Sequence, residues 1–118
     1  MNIESFREYC LAKPGTSEDT PFDEHTLCLR VGGKIFAITG LDTIELSVNL
    51  KCDPERAVEL REEYENIIPG YHMNKKHWNT VDMNESQPDD FYKELIDHSY
   101  DLVYKSLTKK IKAEIENK

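Results

Sequence analysis

The strongest constraint on the fold is the strict alternation of apolar and polar residues in TIELSVNLK, residues 43–51. Side chains of a β-strand point alternately to the two faces of a sheet, so this pattern predicts a strand with one buried and one solvated face. The residues expected to share the buried face are Ile44, Leu46, Val48 and Leu50. Such a strand needs neighbouring strands and a covering layer, which the rest of the chain must supply.

Two segments supply the predicted neighbours of this strand. In TLCLRVGGKIFAITG, two runs rich in β-forming residues flank Gly32 and Gly33, a pair typical of a tight hairpin turn. The segments IIPGYHM and HWNTVDM are predicted to form two more strands around a turn at residues 74–76. The polar stretch TSEDTPFDEH is predicted to be a loop, which leaves five strands in the chain.

Three segments carry the start signals and the apolar stripes of helices. Asn2 and Asp53 are capping residues, and Pro54 occupies the first helical position after Asp53. The longest segment begins with Asp89 and Asp90, whose charges suit the positive end of a helix. The predicted helices cover residues 3–11, 54–64 and 88–107, and the lysine-rich tail TKKIKAEIENK is predicted to be a fraying helix end.

The order of these elements predicts the fold class. It is α+β: a two-layer α-β(3)-α-β(2)-α sandwich with a five-stranded antiparallel sheet and helices mainly on one face. The length of 118 residues suits one domain over residues 1–118. The residues predicted to be largely buried are Leu29, Ile35, Leu46, Val48, Leu60, Trp78, Phe91 and Leu102.

Composition narrows the class of protein. The net charge of −8 disfavours diffuse attraction to nucleic acid or to anionic membranes, so any polyanion must bind at a local patch. The sequence has no apolar run long enough to span a membrane and no signal-peptide pattern, so we expect a cytoplasmic protein without membrane partners. Cys10, Cys28 and Cys52 are expected to be reduced thiols, and a helix N-terminus is expected to lower the pKa of Cys52 somewhat.

The segment PGYHMNKKHWNTV, residues 69–81, contains no acid in a chain that has 23 acidic residues. Aromatic residues in strands often serve packing alone, so a strand and a turn would explain it. Alternatively, it is a wing whose lysines contact phosphates and whose aromatic rings stack on a ligand. The residues predicted to face that ligand are Tyr71, His72, Asn74, Lys75, Lys76, His77, Trp78 and Asn79.

Catalytic and metal sites are not expected. His72 and His77 flank a turn, but specific metal motifs have tighter ligand sets than this. Asp97, His98 and Ser99 have the residue types of a catalytic triad, yet neighbours on a helix point apart. Phosphate loops and dinucleotide fingerprints are missing from the sequence. We therefore expect neither an enzyme nor a cofactor.

Four segments of the sequence resemble the MmcQ/YjbR family of small bacterial proteins: VGGKIFAITG, SVNLKCDPERAVELR, PGYHMNKKHWNTV and LIDHSYDLV. The similarity covers nearly the whole chain. It implies an α-β(3)-α-β(2)-α sandwich similar to type III secretion chaperones and to the CyaY-like fold. The family is commonly labelled DNA-binding through a proposed double-wing motif, and the resemblance brings no catalytic residues.

Two functions follow as expectations. The first is weak, non-catalytic DNA binding by a basic aromatic wing, residues 71–80, which would contact about 2–4 phosphates and depend on salt. The second is a protein-interaction or chaperone-like domain that binds a polypeptide partner through the same surface or a sheet face. Strong salt dependence favours the first, and an exposed apolar patch favours the second.

Overall fold

The computed structural model describes residues 1–71 and 73–117. The elements in chain order are α1 (Ile3–Leu11), β1 (Thr16–Asp19), β2 (Thr26–Val31), β3 (Lys34–Gly40), β4 (Ser47–Lys51), α2 (Pro54–Glu63), β5 (Ile67–Pro69), β6 (Trp78–Asp82), α3 (Asp89–Lys105) and α4 (Lys109–Glu116). Within these residues no helix is both long and apolar enough to cross a membrane.

The strands form a single antiparallel sheet in the order β1-β2-β3-β4-β6-β5. Helix α3 packs on the central strands, α1 lies against β1, and α2 lies against β5. Val48, Leu50 and Val81 are buried under the helices, whereas the alternate residues Asn49 and Thr80 on the other face are only partly buried. The predicted α+β two-layer sandwich is therefore confirmed.

Over the described residues the sheet has six strands instead of the predicted five, because residues 16–19 form β1 and not a loop. Thr16 pairs with Val31, and Asp19 pairs with Cys28. The strand is polar, so it lacks the apolar alternation that marks the other strands. A bidentate ion pair between Arg7 of α1 and Glu18 holds it to the helical layer.

The lysine-rich tail also differs from the prediction, since it forms a separate helix, α4. The Thr108 side chain accepts the Ile111 N–H and caps the helix. Ile111 and Ile115 are partly buried against the core. They lie where side chains of Gly32 and Gly15 would otherwise project. Two glycines far away in the sequence thus leave the space in which α4 packs.

The placement of Ile44 was wrong. Strand β4 begins at Ser47, and Ile44 is fully exposed while Leu46 is buried. Residues 41–46 form a bent loop in which Leu41 donates to the His25 carbonyl and the Thr43 hydroxyl donates to the Glu45 carbonyl. Because this loop does not pair with β3, its side chains do not alternate between the two faces of the sheet.

The predicted core is partly confirmed. Leu29, Leu46, Val48 and Leu60 are buried, and Ile35, Trp78, Phe91 and Leu102 are only partly buried. Between Leu29 and Arg30 the register of β2 and β3 shifts, and the consecutive residues Phe36 and Ala37 are both buried. The buried side of α3 is formed by Tyr92, Leu95, Ile96, Ser99, Tyr100 and Val103.

Candidate functional site: the basic end of the sheet

The turn between β5 and β6 is organised by Asn74. Its carbonyl accepts the N–H groups of His77 and Trp78 at 3.1 and 3.0 Å. Its side-chain oxygen accepts the Lys76 N–H at 3.0 Å. The Gly70 N–H closes the strand pair by donating to the Trp78 carbonyl at 2.8 Å. The Asn74 side chain is therefore used inside the turn, although the residue is exposed.

The predicted wing residues differ in exposure. Tyr71, Lys75 and Lys76 are exposed, while His77 and Trp78 are partly buried. Tyr71 donates its backbone N–H to the Thr80 hydroxyl on the face of the sheet without helices. The prediction for His72 lies outside the described residues. The exposed part of the wing is thus the lysine turn with the tyrosine ring beside it.

Asn79 does not belong to the ligand-facing surface. It lies between Trp78 and Thr80 on β6, so the pleat points its side chain to the helical face, where it is buried. Its side-chain oxygen accepts from Arg61 at 2.6 Å, and its amide donates to the Ala57 carbonyl at 3.4 Å. Its role is to bind α2, not a ligand.

Arg61 of α2 is the residue that the sequence-based prediction of the wing missed. Its guanidinium donates to the Asn79 side chain and also to the Lys75 carbonyl. It therefore ties the tip of the turn to the helical layer. The sequence did contain a signal for this contact. Arg61 lies on the apolar side of α2 with Ala57 and Leu60, and an arginine there needs a polar partner.

The β2–β3 turn, which contains Gly32 and Gly33, projects from the same end of the sheet as the wing. Between the two turns lies the end of β4, where Lys51 pairs with Trp78. The end of α3 and the start of α4 also lie here, since the Lys34 ammonium donates to the Ser106 carbonyl at 3.4 Å. We call this region the basic end; its lysines are Lys34, Lys51, Lys75, Lys76, Lys105, Lys109 and Lys110.

The lysines of the basic end differ in their partners from four cations elsewhere in the chain. Arg7, Lys13, Arg30 and Arg56 each form a salt bridge with an acidic side chain. Over residues 1–71 and 73–117, no lysine of the basic end forms a salt bridge. Their charges are therefore available to an external anion.

The three residue types of a triad on α3 do point apart, as predicted. Asp97 accepts the Tyr9 hydroxyl and pairs with Lys13. The Ser99 hydroxyl donates to the Phe36 carbonyl at 2.6 Å and accepts the Lys51 N–H at 2.9 Å. His98 accepts the Asp53 N–H through Nε2 at 3.1 Å. Each side chain therefore anchors a different element to α3.

Acidification should test the role of His98. Burial, with a further contribution from Arg56, lowers the pKa of His98 below its usual value of about 6.5. The unfolded chain then binds this proton more readily than the folded one. The contribution of His98 to the free energy of unfolding is therefore fully present above about pH 6.5. It is expected to decrease as the pH falls below this value. Urea unfolding between about pH 7.5 and 5 measures this loss.

His98→Gln is the matched variant, because an amide oxygen can accept the same N–H without titrating. We expect the variant to lose less stability on acidification than the wild type. His25→Gln is the control, since His25 lies at the surface beside Glu24, in the loop between β1 and β2. An identical acid loss in wild type and His98→Gln would contradict this role for His98.

The three cysteines are free, as predicted, and all three are buried. Burial raises the pKa of Cys52 to about 11, so the prediction that the helix N-terminus lowers this pKa is wrong. Burial also raises the pKa of Cys10 to about 12. Within the described part of the chain, no cluster of three or more His, Cys, Asp or Glu side chains is arranged to hold a metal ion.

Comparison with known proteins gives consistent matches over most of the chain. A family model described as YjbR matches residues 11–102. The uncharacterized protein YjbR of Escherichia coli K12 is 35% identical over 100 residues, which cover 85% of each chain. The uncharacterized protein YyaQ of Bacillus subtilis 168 is 32% identical over 117 residues, which cover 86% of this chain and 98% of that protein. The crystal structure of Deinococcus radiodurans protein DR2400 aligns with a TM-score of 0.91 and 38% identity over 98% of this chain and 88% of that one.

Proposed function

Because this chain belongs to the YjbR family, whose relatives YjbR and YyaQ are uncharacterized, we propose a function from the geometry of its own basic end. The basic end binds the phosphate backbone of DNA, with the turn of Lys75 and Lys76 as its main contact. The observation that carries this proposal is the group of lysines without salt-bridge partners at one end of an otherwise acidic molecule.

The spacing of the two turns supports contact with a duplex. Strands β3 and β6 are separated by β4, so the strand ends with Lys34 and Trp78 lie two strand spacings apart, or about 10 Å. The major groove of B-DNA is about 12 Å wide. Lysines on the two turns can therefore approach phosphates on both borders of one groove, while Lys51 lies between them.

Hydrogen bonds hold the turn in place, so little further ordering of its lysine backbone is needed when a ligand binds. Arg61 holds the Lys75 carbonyl, and Asn74 makes three hydrogen bonds within the turn. A preformed turn loses less conformational entropy when it binds. The exposed ring of Tyr71 beside the turn offers a stacking surface for an unpaired base.

Charge limits the strength of this interaction. Three or four phosphate contacts correspond to a slope of log K against log salt of about −3 to −4. The net charge of −8 opposes the approach of DNA and makes the binding weaker still. We expect binding that is detectable at low salt and that disappears near physiological salt.

Fluorescence anisotropy with labelled duplex and single-stranded DNA between about 50 and 200 mM salt tests the proposal. Lys75→Ala with Lys76→Ala is expected to weaken binding about tenfold and to flatten the salt slope by up to about 2, for every DNA sequence. The two side chains are exposed, so the fold should be unaffected.

Lys93→Ala is the control, because it removes one positive charge, as the single variant Lys75→Ala does, but at a different place. Lys93 lies on α3 beside the Tyr9 ring, away from the basic end. The Lys93→Ala variant should leave the salt slope of DNA binding unchanged. If the wild-type protein binds no DNA at the lowest salt, or if the double variant binds as the wild type does, the proposal fails.

A further inference from the structure

The end of the sheet opposite the basic end has the reverse charge. It is formed by residues 20–25, 41–46, 62–66 and 82–90, and these segments contain no lysine or arginine. They contain eleven of the 23 acidic residues. Helices α1 and α3 also begin here, where the Met1 nitrogen lies 3.0 Å from the Asp89 carboxylate. We call this region the acidic end.

Large apolar side chains are exposed at the acidic end. Ile44 is fully exposed, Phe22 is 67% exposed, and Leu41 is 44% exposed. They lie on two loops that are joined by the hydrogen bond from the Leu41 N–H to the His25 carbonyl, at 2.7 Å. Single exposed apolar residues are ordinary, but several on adjoining loops are typical of a contact surface.

A cleft of about 520 Å³ lies beside Ile44. Its apolar walls come from Ile3, Leu46 and Met83, and its acidic rim includes Glu45. An apolar cleft with a few charged groups at its edge suits a side chain that has an apolar stem and a cationic head. Lysine and arginine have this form.

Asp82 supplies a second acidic group at the cleft. It lines the cleft, and its Oδ1 atom is buried without a hydrogen-bond partner in the residues described. A buried carboxylate oxygen without a donor is unfavourable. The attraction of a cationic side chain in the cleft to the Asp82 carboxylate would offset this cost.

From these observations we infer that the acidic end binds a basic, apolar polypeptide segment of a partner protein. Its cationic side chains pair with the acidic rim, and its apolar side chains cover Phe22, Leu41 and Ile44. Nucleic acid and anionic membrane are repelled by this charge. This surface lies at the far end of the sheet from the wing, so it does not rest on the proposed DNA binding.

The test uses the full chain and a synthetic peptide in which leucine alternates with lysine, followed by NMR chemical shifts and calorimetry. The expected shifts fall on residues 20–25, 41–46 and 82–85. Phe22→Ser with Ile44→Ser should weaken binding about tenfold, because both side chains are exposed and belong to the contact. The same peptide with glutamate in place of lysine should not bind.

Val58→Ser and Ile68→Ser are the matched controls, since both residues are exposed apolar positions away from the acidic end. They should bind the lysine peptide as the wild type does, and so should Lys75→Ala with Lys76→Ala. Equal affinity of the Phe22 and Ile44 double variant and the wild type would overturn the inference. Self-association in light scattering that the same double variant abolishes would also overturn it, because the occupant would then be a second copy of this chain.

Discussion

Phe36→Ala is expected to destabilise the protein by about 3–5 kcal/mol, the largest loss we predict for a single substitution. Phe36 is fully buried in the core. Its ring packs edge-on against the Tyr100 ring, with 5.5 Å between centroids and 88° between planes. Removing it leaves a cavity beneath α3 and deletes this aromatic contact. The free energy of unfolding in urea measures the loss.

Phe22→Ala is the matched control, because it removes the same side chain from an exposed loop. It should change stability by less than about 0.5 kcal/mol. Similar losses for the two variants would mean that Phe36 does not fill the core. A lower denaturant slope for Phe36→Ala would instead indicate that the two-state transition has been lost.

Gly32→Ala is expected to be the second most harmful change, with a loss of about 2–4 kcal/mol. Its φ angle of +56° is unfavourable for residues with a side chain. In addition, the new Cβ would lie 2.7 Å from Leu107 and 2.9 Å from Ile111. The substitution therefore strains the turn and disrupts the packing of α4 against it.

Gly33→Ala separates these two causes. Gly33 also has a positive φ, +85°, but no atom lies within 4 Å of where its Cβ would be. It should lose only about 1–2 kcal/mol from backbone strain. Equal losses at Gly32 and Gly33 would show that α4 does not press on the turn. Urea unfolding of both variants decides between these outcomes.

The parts of the fold that the sequence predicts well depend on local signals. Asn2 accepts the Ser5 N–H in a capping box, and Asp53 accepts the Arg56 N–H, so both helix starts are as predicted. The alternation holds over Ser47–Lys51, because these residues pair in the sheet. Ile44 departs from it because pairing with β3 stops before that residue.

The missed elements depend on contacts between distant residues. Strand β1 has no apolar pattern, and Glu18 is held there by Arg7 from another element. Helix α4 has a sequence that suits a frayed tail, and its docking depends on the small size of Gly15 and Gly32. Periodicity within one segment carries no information about such partners.

The candidate site shows the same division. The acid-free segment indicated where the lysine turn lies, and Lys75 and Lys76 are exposed in it. The sequence did not indicate that Asn79 points to α2, because the phase of a short strand depends on its pairing. It also did not show that lysines from four separate segments meet at one end, which is a consequence of strand order.

The two edges of the sheet determine how the protein can meet another chain. Strand β1 has four residues and two acids, and β5 has three residues and ends in Pro69, which lacks a backbone N–H. Short, charged or proline-containing edges are poor templates for pairing with a further strand. The sheet is therefore protected against edge-to-edge aggregation. Any polypeptide partner must recognise this protein through side chains and loops, and not by strand addition.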